Sequence, residues 1–108
     1  MGIDPELLKL MQAWRRTPPP VKRFHAGNRE APGYDLECGL DHLASSVSAL
    51  AADYRDGKPY DYGERAVARV ADLDALEPMV AGSGDAAEQR RYREWLAVTR
   101  LLLVRIGG

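Results

Sequence analysis

Residues 35–55, Asp35 to Arg55, read DLECGLDHLASSVSALAADYR, and this stretch decides the fold. Leu36, Leu40, Leu43, Val47, Leu50 and Tyr54 recur at alternating intervals of four and three residues. On an α-helix of about 3.6 residues per turn they form one narrow apolar stripe, the seam expected for helix–helix packing. The opposite side carries Cys38, His42, Ser45, Ala49 and Ala52, and no formal charge occurs from Leu43 to Ala52. A water-facing helix surface ordinarily carries charged residues. An apolar stripe backed by small residues therefore predicts a central helix, covered behind by the first helix of the same chain or by a second copy.

Downstream, Asp56-Gly57-Lys58-Pro59 is a turn in which Gly57 supplies the left-handed residue that ends a helix. A third helix is expected from near Asp61 to about Leu76, burying Ala66, Val67, Val70 and Leu73, with Pro78 stopping or kinking it. Gly82-Ser83-Gly84 forms a joint, and Asp85 with Glu88 has the spacing of a capping box. The fourth helix then presents Tyr92, Trp95, Leu96, Thr99, Leu102, Leu103 and Ile106 on one face.

Upstream, Asp4, Pro5 and Glu6 form a helix start, followed by Leu7, Leu8, Met11 and Trp14 at helical spacing. Thr17 and the prolines at 18, 19 and 20 stop that helix, because prolines lack N–H donors and favour extended backbone. Residues 1–17 thus read as an N-terminal helix, 18–33 as a basic Pro/Gly-containing connector, and 34–108 as a helical bundle. The expected fold is all-α: three core helices plus an attached N-terminal helix, within one domain.

Composition agrees with a small globular protein. Of 108 residues, 45% are hydrophobic and 29% charged, which suits one folded domain and not wholesale disorder. A lone cysteine leaves no intramolecular disulfide framework, so a reducing compartment, the cytoplasm, is the expected location. The longest uncharged run, His42 to Ala52, has 11 residues, far short of the roughly 20 that a membrane helix needs. Asp4, Glu6 and Lys9 interrupt what would be the apolar core of an export signal. No membrane partner is expected.

Net charge is −1, but it is unevenly spread: +3 over residues 1–34, −8 over 35–88 and +4 over 89–108. Such a pattern lets the ends fold back on the middle, or lets one chain's ends meet another chain's middle. Two basic clusters, Arg15-Arg16 with Lys22-Arg23 and Arg90-Arg91 with Arg93, are candidate contacts for phosphate or nucleic acid. A dedicated nucleic-acid binder is more often basic throughout.

Catalytic signatures are sparse. The sequence holds no phosphate-binding Gly-rich loop, nucleophile elbow, His-Glu-x-x-His pair or Cys-x-x-Cys, and no cofactor is implied. Cys38 and His42, one helical turn apart beside Glu37 and Asp41, are the nearest approach to a metal site, whereas a structural zinc usually takes four protein ligands. His42 also has a limited resemblance to the phospho-accepting histidine of histidine-containing phosphotransfer domains, which are helical bundles of similar size. That family typically carries Lys and Gly three and four residues after the histidine, where this chain has Ser45 and Ser46. Tyr54, Tyr60 and Tyr62 among Asp53, Asp56 and Asp61 are expected to close one end of the bundle.

The functional expectation is a non-enzymatic interaction or regulatory module working through helix-mediated protein contact, with a homodimer the leading assembly. Leu43, Ala49, Ala52 and Trp95 are the expected partner contacts. The alternatives are a nucleic-acid-associated accessory protein and a phosphotransfer or metal site at His42.

Overall fold

The computed structural model describes residues 5–17, 34–82 and 85–108. It is all-α, with helices α1 (Pro5–Arg16), α2 (Tyr34–Arg55), α3 (Tyr62–Val80) and α4 (Ala86–Gly107). The expected connector, with Lys22, Arg23 and His25, lies outside the described residues, as do Asp4 and most of the Gly82–Gly84 joint.

Helix starts follow from their caps. Asp61 accepts the Glu64 N–H at 3.0 Å and Asp85 accepts the Glu88 N–H at 2.9 Å, each satisfying a donor that the first turn leaves unpaired. Between α2 and α3, Gly57 takes φ +72°, a conformation that costs a side-chain-bearing residue about 1–2 kcal/mol. Around it Tyr54, Tyr60 and Tyr62 stack edge-to-face at centroid distances of 4.9 and 6.2 Å, with the Arg65 guanidinium 4.1 Å above the Tyr60 ring. The tyrosines close that end of the bundle against one another.

The core is one cluster drawn from all four helices. The α2 stripe is buried from Leu36 to Leu50, with Tyr54 half-buried at its end. All seven apolar-face residues expected for α4 are buried. Helix α4 packs chiefly against α3 and α1, while α2 packs chiefly against α3. Two glycines permit close approach. A Cβ at Gly39 would run into Leu76 Cδ2, and one at Gly107 would stand 2.8 Å from Ala66 Cβ.

Three expectations need correction. Helix α3 runs through Pro78 to Val80 instead of ending near Leu76, because Leu76 and Val80 both insert into the core and one missing N–H in the last turn is tolerated. Val67 is 70% exposed: it lies about 100° round the helix from Ala66, outside the line of Leu73, Leu76 and Val80. Leu8 is likewise 40% exposed, and the partly buried Leu10 packs on the core beside Leu7 and Met11.

Candidate interaction surfaces

Helix α1 lies on α4, so it does not supply the cover expected behind α2. Cys38, His42, Ser45, Ser48 and Ala49 are exposed there, and Ala52 is half-buried. Of the expected partner contacts, Ala49 and Ala52 remain at the surface. Leu43 and Trp95 leave that set, because both are fully buried inside the chain's own core. Their large apolar surface is already spent on folding.

Beside Ala49, the α2–α3 groove encloses about 260 Å³, lined by Ser46, Ala49, Leu50, Asp53, Arg65, Ala68 and Arg69. Two of its charges, Asp53 and Arg69, are paired within the chain, and Arg65 lies over the Tyr60 ring. Lys58 Nζ lies 3.2 Å from Asp53, which raises the Lys58 pKa, and Arg69 Nε lies 3.1 Å from Asp72. Near the other end, Glu77, Val80, Arg93 and Leu96 line a second hollow between α3 and α4. His42 lines neither.

The α3–α4 seam has a different surface. These helices are antiparallel, and two contacts fix their register. Gly107 backs onto Gly63 and Ala66, and the Arg100 guanidinium hydrogen-bonds the carboxylates of both Asp74 and Glu77. Those two carboxylates raise the Arg100 pKa. This register sets Val104 level with Val67 on the outer side of the seam, with Leu101 one turn along α4. Val67, Leu101 and Val104 are 70%, 59% and 61% exposed, and Ala71 and Ala97 beside them are exposed too. Sequence reasoning missed this patch. Its signal was a second stripe on α4, Ala97, Leu101 and Val104, at intervals of four and three.

The basic clusters occupy accessible positions where they are described. Arg15 and Arg16 close α1, and Arg90, Arg91 and Arg93 occupy the first half of α4; all five are exposed. Tyr92, between Arg91 and Arg93, is buried in the core and offers no ring face for base stacking. Trp14 is half-buried, its ring 6.3 Å from Trp95 and its indole N–H donating to Thr99 Oγ1 at 2.9 Å.

The chain matches no protein-family model, no curated protein and no solved structure. Its surface chemistry must therefore be read from its own residues. Among the described residues, no three His, Cys, Asp or Glu side chains converge in a way that could hold a metal ion. Cys38 and His42 point outward from α2 without a third donor. No helix among the described residues is long and apolar enough to cross a membrane.

Proposed function

We propose that the chain is a non-enzymatic assembly module that works by helix-mediated protein–protein contact, with a second copy of itself as the first partner. One observation carries this reading: Val67, Leu101 and Val104 stand more than half exposed beside a core that buries Leu96, Leu102, Leu103 and Ile106 of α4. Contiguous aliphatic surface in water is unfavourable by about 25 cal/mol per Å², and covering it drives association. The back of α2 from His42 to Ala52, which carries no formal charge, is a second surface of low desolvation cost and supports the same reading.

Light scattering of the full chain from micromolar to near-millimolar concentration tests the proposal. The expected mass is a multiple of 12.0 kDa at the upper concentrations. A monomer throughout would overturn self-association.

A second reading rests on the exposed Arg15, Arg16, Arg90, Arg91 and Arg93, which suit contact with a polyanion. It requires binding to duplex or single-stranded nucleic acid that weakens steeply with added salt. Affinity that is negligible, or indifferent to salt, would overturn it.

A further inference from the structure

We infer that the groove between α2 and α3 is a binding site for a small organic monocarboxylate, whose carboxylate group is held by Arg65 and Arg69. The groove shares no lining residue with the exposed aliphatics Val67, Leu101 and Val104, so the site stands whether or not the chain assembles.

The two arginines carry the argument. They lie four residues apart on α3, one helical turn, and both line the groove. Like charges at that spacing repel, and an anion held between them removes the repulsion. The Arg65 guanidinium rests 4.1 Å over the Tyr60 ring, a contact that uses its face and leaves the N–H groups at its edge open. No carboxylate among the described residues pairs with it. Arg69 is held at Nε, 3.1 Å from Asp72, and its terminal nitrogens have no acceptor among the described residues. Guanidinium edges one turn apart can share the two oxygens of a carboxylate, each through charge-assisted hydrogen bonds.

Charge and size select the ligand. The lining sets two arginines against one aspartate, and that aspartate, Asp53, is already held by Lys58 at 3.2 Å. A singly charged group matches this balance, whereas a phosphate dianion brings its second charge towards Asp53 and Asp72. The groove's 260 Å³ falls below the roughly 300–1,000 Å³ of ordinary ligand pockets, which limits the occupant to a small molecule. Ala49 and Ala68 form aliphatic walls for its carbon body.

Benzoate titrated into the full chain, followed by proton–nitrogen correlation spectra, tests the inference. Benzamide is the uncharged control, and inorganic phosphate in mildly alkaline buffer is the dianion. Saturable shifts at the backbone amides of 46–53 and 65–69 are expected with benzoate at millimolar concentration, and both other probes should bind about tenfold more weakly. Arg65→Gln and Arg69→Gln should each weaken benzoate about tenfold while leaving the thermal melt unchanged, because neither side chain is in the core. Ala68→Leu fills the groove from an exposed position and should weaken benzoate with both arginines intact. Absence of a saturable shift at these amides overturns the site. Equal binding of benzamide, or undiminished binding by a variant lacking both arginines, overturns the carboxylate contact. Tighter binding of phosphate than of benzoate overturns the monocarboxylate in favour of a phosphate group.

Discussion

Thr99 is fully buried, yet its hydroxyl has two partners: it accepts from the Trp14 indole and donates to the Trp95 carbonyl at 2.7 Å. The second bond returns to the same helix, so Thr99 is satisfied even without α1. The first bond is the one that reports α1 docking. Thr99→Val keeps the shape and removes both bonds, leaving the half-buried Trp14 N–H to find water. The expected cost is about 1 kcal/mol, read as a lower midpoint in urea unfolding, together with a red shift of tryptophan emission. An unchanged midpoint would mean that packing of Leu7 and Met11 alone holds α1. The Trp95 indole N–H is itself buried without a hydrogen-bond partner among the described residues.

At the level of elements, the two aspartate caps set where α3 and α4 begin. Replacing Asp61 or Asp85 by Ala removes one side-chain bond to a first-turn N–H and should cost about 1 kcal/mol each. Thermal or denaturant melts of the two single variants check this, and losses near zero would show that water satisfies those donors equally well. The same caps explain why these helix starts were legible in the sequence: a short acidic side chain three residues before a Glu N–H has a local effect that does not wait for the fold. The α4 stripe was legible for a related reason, since seven residues at helical spacing over 22 positions define one face. Val67 was not. In a helix with Val67, Val70, Leu73 and Leu76, the spacing permits two overlapping stripes, and only the rotation set by packing on α4 decides which one is buried. Leu43 and Trp95 failed as surface contacts by the same logic, because residues that read as strong partner anchors also make strong core residues. The exposed back of α2 was visible in the sequence as an uncharged run, but its neighbour depended on where α1 docks.

For the molecule as a whole, the uneven charge pattern is partly resolved within the chain, where Arg100 near one end bridges Asp74 and Glu77 of the middle. Such half-exposed bridges contribute modestly and are screened by salt. Apolar burial is the larger contribution, and α4 supplies Tyr92, Trp95, Leu96, Leu102, Leu103 and Ile106 to it. A chain stopped after residue 85 loses all of these side chains together. It is expected to show no cooperative thermal transition by circular dichroism, and a sharp melt from that fragment would contradict the central position given to α4.

Because α1 rests on α4, it has no main partner until α4 has been made, whereas α3 can already close on α2. Leu7 and Met11 stay uncovered until α4 follows, during which chaperones and proteases have access to them. Translation that halts before α4 therefore yields a greasy, degradable fragment instead of a shortened working protein, so quality control of this chain is written into the order in which its helices are made.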